Sequence, residues 1–323
     1  KHGIGAGFNP CIDCRSMMFD AAKKHMEDIG AEFIISGEVL GQRPMSQHAP
    51  ALRTIEKESD LVGKIVRPLS AALLPETDPE KNGLIKKGDT IIEATSGNSG
   101  IAFAFLSAER GYKCIIIMPA NMSEERKQML RLYGAELIEV PDGKFDDAIA
   151  LRDKMALENG YFNPNQFHNP LNIQAHYEGT GVEILHQHEN KIAAFVDGTG
   201  TGGTLMGTSR VLKYYHGNMK VVAVEPAESP VMSGGQPGLH GIQGIGDGSK
   251  FLVDMSFVDE VITIETQCAI DFAKHLAKKK GLFLGISAGA NVRGAFQWLR
   301  DNNYKNAVTI LCDRGERYFS NYN

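Results

Sequence analysis

Three loops of this 323-residue chain hold residue types suited to binding anions. In the first, Thr95-Ser96-Gly97-Asn98-Ser99-Gly100 lies between the apolar run 90–94 and the helical pattern 101–110. Hydroxyls, a small amide and two glycines at a helix start leave N–H groups free, and the helix dipole favours a carboxylate or phosphate there. The same residues also suit a polar turn with an N-cap. In the second, Gly198-Thr199-Gly200-Thr201-Gly202-Gly203-Thr204 follows the apolar run 193–196 and precedes another helical pattern. Its four glycines let backbone amides close around an anion, with threonine hydroxyls as added donors. Read from Gly200-Thr201-Gly202, the dinucleotide fingerprint is a poor fit because no glycine follows at the required offset, and the Walker pattern lacks its Gly-Lys-Ser/Thr ending. A cradle for a single phosphate is the better match, with a plain glycine-rich turn as the alternative. The third loop, Cys312-Asp313-Arg314-Gly315-Glu316-Arg317-Tyr318, follows the apolar run 307–311 and by itself reads as an ordinary polar connection.

These loops need a scaffold that brings them together. From Lys86 onward strand and helix patterns alternate, with apolar runs at 90–94, 113–118, 136–140, 193–196, 221–225, 261–264 and 307–311. Continuous rather than alternating apolar strands, separated by helices, predict an α/β fold with parallel sheets flanked by helices on both faces. Ligands in such sheets bind beyond the carboxyl ends of the strands, where all three loops fall. Ser123, with Glu124, Glu125 and Arg126 behind it, reads as the N-cap of the helix 123–133, and Gly134 as its stop. The first eighty residues differ: two helical patterns (17–29 and 52–58), a short apolar strand at 31–35, and much irregular chain rich in Pro, Gly and Arg. Turn formers and charge in Pro75-Glu76-Thr77-Asp78-Pro79-Glu80-Lys81-Asn82-Gly83 mark a boundary. No internal repeat or low-complexity tract is present.

Composition narrows the function classes. Hydrophobic residues make up 42% and charged residues 23%, as in ordinary globular proteins. A net charge of −5 gives no global electrostatic case for nucleic acid or an anionic membrane. No apolar run approaches a bilayer span, and the opening Lys1-His2-Gly3-Ile4-Gly5 has no signal core. The five cysteines are odd in number and scattered, which fits a reducing cytosol better than a disulfide framework. A cytoplasmic location is the expectation. Cys11 and Cys14 form a Cys-x-x-Cys pair that can ligate metal or exchange sulfur, but no two further ligands accompany it and no metal site is assigned.

From about Glu80 to Asn323 the chain resembles the cysteine synthase (O-acetylserine sulfhydrylase) family of fold-type II, tryptophan synthase β-like, pyridoxal-phosphate enzymes. The ordered matches include the 95–100 loop, Met118-Pro119, Gln166-Phe167, Asn169-Pro170, His176-Tyr177, the 200–204 loop, Val224-Glu225-Pro226, Gln243-Gly244-Ile245-Gly246, Gly285-Ile286-Ser287 and Gly315-Glu316-Arg317-Tyr318. The resemblance implies pyridoxal 5'-phosphate as cofactor, an activated serine and sulfide as substrates, and a homodimer. It implies a cofactor-ring contact at Asn98 and a substrate-carboxylate cradle at Thr95, Ser96, Ser99 and Gln166. It implies a phosphate cup at Gly200, Thr201, Gly202, Gly203 and Thr204, with Gly244 lining the active-site mouth. Residues 81–170 would form the smaller enzyme domain and 171–323 the larger, phosphate-binding one.

Two departures stand out. The family places a serine before Gly-Glu-Arg-Tyr at the cofactor's ring nitrogen; here Arg314 holds that place, and a permanent cation with no acceptor would disfavour a protonated ring. An Arg314 turned outward to solvent or Asp313 is the alternative. The family's Asn-Pro-x-x-Ser-x-Lys-Asp-Arg stretch, whose lysine holds the cofactor, has no counterpart, and Lys57 and Lys64 sit in unmatched surroundings. Residues 1–80 instead resemble an internal fragment of a PP-loop tRNA thiolation protein, through Asn9-Pro10-Cys11-Ile12-Asp13-Cys14-Arg15, the 37–47 stretch around Arg43, 55–59 and 67–71. Three functions follow from these resemblances: cysteine formation, tRNA sulfur transfer, and cofactor binding without turnover.

Overall fold

Parallel strands joined by crossover helices account for nearly all the regular structure. The computed structural model describes residues 10–31, 34–35, 49–61, 65–66, 78–188 and 191–322, divided into two units, Lys1–Asp78 and Pro79–Asn323. Asn9, the 37–47 stretch with Arg43, Lys64 and the 67–71 stretch lie outside the described residues.

In the first unit, α1 (Pro10–Asp28) starts earlier than the apolar pattern suggests, with Pro10 in its first turn, where a missing N–H costs nothing. Cys11 and Cys14 fall on this helix. β1 (Ile34–Ile35) pairs in parallel with β2 (Ile65–Val66), and α2 (Ala49–Glu58) lies between them in sequence. Phe19, Met26, Ile55 and Leu61 form a small buried core, and Lys23 donates to Asp60 across 2.8 Å. Lys57 is exposed in the last turn of α2.

In the second unit, after the short α3 (Asp78–Lys81), β3 (Thr90–Ala94), β4 (Lys113–Pro119) and β5 (Glu136–Val140) make a parallel sheet in that order. Between them run α4 (Asn98–Arg110) and α5 (Glu124–Leu132), and α6 (Phe145–Asn159) follows. Successive strand side chains point to opposite faces. Thus Ile92, Ala94, Ile115 and Ile117 pack on Ala148 of α6, while Ile116 and Met118 pack on Ile101 and Ala104 of α4 and Leu130 of α5. Ser123 does not cap α5 with its side chain as predicted. Its hydroxyl donates to the Arg317 carbonyl at 2.8 Å, so a distant segment competes successfully for it. Gly134 does terminate α5, in the left-handed region at φ +81°.

Helices α7 (Leu171–Glu178) and α8 (Thr180–Gln187) lead to the second parallel sheet. It contains β6 (Ala194–Gly198), β7 (Lys220–Pro226), β8 (Glu260–Ile264) and β9 (Val308–Thr309), in the order β8-β7-β6-β9. Phe195, Val221 and Ala223 pack on Leu205, Met206 and Leu212 of α9 (Gly203–Tyr215). On the other face Val196, Val222 and Val224 meet Ala269 of α10 (Thr266–Lys280) and Ala290 and Trp298 of α11 (Ile286–Asn302). A 3₁₀ helix, Gly315–Asn321, closes the unit.

One close approach fixes how α7 meets α9. A Cβ added at Gly207 would stand 2.3 Å from the Ile173 carbonyl oxygen and 2.7 Å from His176 Cβ. Gly207→Ala must push two helix backbones apart, so the expected cost is about 1–3 kcal/mol of stability, read as a lowered midpoint in urea denaturation.

Candidate functional site

Every crossover helix begins just after a strand ends, so β3 and β6, in two separate sheets, deliver the first residues of α4 and α9 to one cleft. One cleft there is lined by Thr95, Ser96, Gly97, Asn98 and Ser99 from the first loop and by Gly200, Thr201, Gly202 and Thr204 from the second. Gln166 and Gly244 also line it. Its volume is about 350 Å³, room for a ligand of cofactor size.

The 95–99 loop is held from behind. The Gly97 N–H donates to Thr95 Oγ1 at 3.0 Å, folding the loop over itself. The Gln166 side-chain amide donates to the Ala94 carbonyl at 2.8 Å, and its backbone N–H donates to Glu93 Oε2 at 3.0 Å. Glu93 in turn pairs with the buried Arg152 guanidinium at 2.5 Å, a buried ion pair whose carboxylate also accepts the Ala94 N–H. Asn98 is oriented by Arg126, whose Nη1 donates to its Oδ1 at 3.3 Å. That leaves the Asn98 NH₂ to donate into the cleft. Arg126 is itself fixed by the Tyr318 hydroxyl at 2.6 Å, which donates to Asp313 Oδ2 at 2.6 Å.

The 198–204 loop requires its glycines. A Cβ at Gly200 would stand 2.6 Å from the Gly244 carbonyl oxygen, and one at Gly202 (φ +87°) would stand 2.5 Å from Val253 Cγ2. At Gly203, the first residue of α9, it would stand 2.0 Å from Asn172 Oδ1. Thr201 Oγ1 accepts from Asn172 Nδ2 at 3.0 Å and from the Gly203 N–H at 3.2 Å, so its own proton is available to a ligand. Thr204 Oγ1 lies 3.2 Å from His176 Nε2, and His176 Nδ1 lies 3.0 Å from Thr180 Oγ1. Burial lowers the His176 pKa, so it serves as a neutral hydrogen-bonding ring.

Arg314 is not in the cleft. Its side chain is 77% exposed and ion-pairs Glu316, two residues on, at 2.5 Å. The residue before it faces inward instead: Asp313 is buried against Tyr318, with Arg126 Nη2 3.7 Å away. The placement of Arg314 at the ring nitrogen is therefore corrected; a charged side chain with a solvated outward option and a partner at i+2 takes it.

The lining groups that carried no assignment from sequence include Asp197, Asp247, Ser287 and Cys312. Asp197 had a signal, since an acid ends an otherwise apolar strand one residue before the glycine loop. It is 2% exposed, its Oδ1 accepts from Asn291 Nδ2 at 3.0 Å, and burial pushes its pKa up to about 8. Burial also raises Asp247, partly offset by a hydrogen bond from Ser96. Cys312 is exposed as a residue, but its thiol is shielded within the cleft, and that burial and then Asp197 and Asp313 push its pKa up, so it is a poor nucleophile.

Comparison with known proteins gives a consistent result. Residues 66–313 match the family model described as pyridoxal-phosphate dependent enzyme. A cysteine synthase of Staphylococcus aureus is 44% identical over 245 residues, covering 75% of this chain and 79% of that protein. Among solved structures, a cysteine synthase of Entamoeba histolytica superposes with TM-score 0.69 at 39% identity, covering 75% of this chain and 73% of that one. A hydrogen sulfide-producing enzyme of Fusobacterium nucleatum superposes with TM-score 0.71 at 39% identity, covering 75% of this chain and 83% of that one.

The cleft fits such a cofactor where its polar ends would bind. The glycine loop, packed too closely against Gly244, Val253 and Asn172 for a Cβ at three positions, keeps its backbone bare, and the amides at the start of α9 suit a phosphate. Asn98 offers a fixed donor to a ring oxygen. Among the described residues no lysine lines the cleft.

The raised Asp197 pKa has a measurable consequence in the ligand-free chain. A carboxyl with a folded pKa near 8 and an unfolded value near 4 contributes its full stability below pH ~4 and loses it as pH rises to ~8. Asp197→Asn is expected to remove a downward slope of about 1.4 kcal/mol per pH unit over that window. Urea denaturation at pH 5 and pH 8 would read it as a variant more stable than the parent at the higher pH only.

Proposed function

The chain belongs to the pyridoxal-phosphate dependent enzyme family, matched over residues 66–313, and we propose that it forms L-cysteine from O-acetylserine, or a related activated serine, and sulfide. The observation that carries this reading is the meeting of two helix starts, those of α4 and α9, in one cleft. A ligand with a phosphate at one end and an amino-acid carboxylate at the other uses both.

When bound, the cofactor supplies the electron sink that lets a leaving group depart from the β-carbon of serine. The chain's own residues bind and orient. Gly200, Thr201, Gly202, Gly203 and Thr204 hold the phosphate through α9 amides and two hydroxyls, with neutral His176 backing Thr204. Asn98 donates to the ring oxygen. Thr95, Ser96, Ser99 and Gln166 cradle the substrate carboxylate at the start of α4, with Glu93 and Arg152 setting the position of Gln166. Gly244, at φ +95°, lets the 243–246 loop approach Gly200 and line the mouth. Resemblance to cysteine synthases further supports a cytosolic homodimer. No helix among the described residues is long and apolar enough to cross a membrane.

Incubating the purified full chain with pyridoxal phosphate, O-acetylserine and sulfide is expected to yield cysteine. Thr201→Ala with Thr204→Ala should weaken cofactor binding about tenfold or more through lost hydrogen bonds to a charged group. Borohydride reduction followed by peptide mapping is expected to mark one lysine. Cofactor retention with neither cysteine nor a marked lysine would replace this reading by binding without turnover.

A further inference from the structure

Away from the cleft, a hollow of about 330 Å³ opens between α10 and the 3₁₀ helix Gly315–Asn321. One wall is aromatic. Phe283 packs against Phe319 with ring centroids 5.5 Å apart and against Tyr322 at 6.0 Å. The Tyr322 hydroxyl donates to the Leu284 carbonyl at 2.5 Å, so its polar end is already engaged. The opposite wall is α10 at Ala273 and Ala277, two methyl groups one helical turn apart that leave the hollow unfilled. A single exposed apolar side chain is ordinary. Here the Phe319 ring, 55% exposed, is the lip of a concave apolar surface, the shape in which a partner's apolar side chain seats.

The edge of the hollow along α10 is cationic. Lys274 and Lys278 line it at i and i+4, and Lys279 and Lys280 follow in the last turn. The helix dipole favours lysines at a helix end, which accounts for the last three but not for Lys274, a turn earlier. No carboxylate answers the two lining lysines: among the described residues neither makes an ion pair. The acids of the same two elements are engaged elsewhere. Asp271 accepts from Gln267 Nε2 at 3.0 Å, and Glu316 holds Arg314. On a chain of net charge −5, an unneutralised cationic strip beside an apolar hollow is a local exception.

The two halves of this surface ask for two properties in one ligand: an apolar side chain for the hollow, and carboxylates about one helical turn apart for the lysines. We propose that the α10 hollow docks an acidic, amphipathic helical segment of a partner protein. One aromatic or leucine side chain seats between Ala273, Ala277 and Phe319, and carboxylates face Lys274 and Lys278. Shape argues against other occupants. A small molecule would be covered on one side only, whereas ligand pockets enclose most of their ligand's surface. A membrane-surface site presents its apolar groups outward, and these line a concavity. The proposal is independent of the cofactor reading.

The test uses the full chain and a fluorescent synthetic peptide with one phenylalanine and glutamates one and two helical turns beyond it. In a control peptide lysines replace the glutamates. Fluorescence anisotropy at low salt is expected to give a dissociation constant of about 1–100 μM for the acidic peptide and no binding of the control. Raising the salt should weaken binding, because exposed charges are screened. Lys274→Glu combined with Lys278→Glu should weaken it about tenfold or more, and Phe319→Ala by a similar factor. Both variants should keep the parent's urea midpoint; where Phe319→Ala lowers it, the lysine variant alone decides. Absence of binding, equal binding of the control peptide, or an affinity that the lysine variant leaves unchanged overturns the proposal. So does binding of the parent to phosphatidylglycerol vesicles in place of the peptide. Occupation of the hollow by a second copy, seen as self-association that the lysine variant abolishes, overturns it as well.

Discussion

A sheet whose strands all run parallel cannot turn back by a hairpin. Each strand must be followed by a crossover, and each crossover helix must start at the edge where the strand ended. Seven strands of the second unit obey that rule, in the orders β3-β4-β5 and β8-β7-β6-β9. Strand carboxyl ends and helix amino ends therefore accumulate on one side, where unpaired N–H groups and dipoles make an environment for anions. Asn98 and Gly203 begin their helices at the carboxyl edges of their two sheets because β3 and β6 are parallel to their neighbours.

Much of this was legible in the residue string. Runs such as Cys114-Ile115-Ile116-Ile117-Met118 are apolar on both faces, and only a strand covered twice needs that; the structure supplies α4 and α6 as the covers. Thr95 to Ser99 and the 200–204 loop were identified from glycines and hydroxyls between a strand and a helix, and both line the cleft. What was hidden depended on contacts remote in sequence. Ser123 has the sequence of a cap, yet a carbonyl 194 positions away takes its hydroxyl. Arg314 adjoins a recognisable string, but its side chain had two directions available and a carboxylate two residues on to receive it. Asn291 sits in an unremarkable helix and gains its role only because β6 and β9 end on either side of it. The early start of α1 was missed because its first turn carries no apolar rhythm.

Several buried polar groups do the positioning, and each is costly unless fully partnered. Glu93 satisfies its carboxylate with Arg152 and two backbone N–H groups, and so converts the burial cost of a charge into a fixed location for Gln166. Arg126 orients Asn98 with one terminal nitrogen and meets the Tyr318 hydroxyl with the other, although its buried Nε has no hydrogen-bond partner. The cleft's shape thus depends on a shell of charges that never face it.

The Tyr318 and β9 contacts also bear on the order of events during synthesis. β9 pairs with β6, which the ribosome makes over a hundred residues earlier, and Tyr318 reaches Arg126, 192 positions upstream. Until the 308–321 segment emerges, one edge of β6 is bare and Arg126 lacks its hydroxyl and carboxylate neighbours. The first sheet can collapse as it is made, whereas the pocket wall at Asn98 waits for the segment made after every other described element. A nascent chain would therefore pass through a state with a formed core and an unfinished binding site, completed only once residues 308–321 are made.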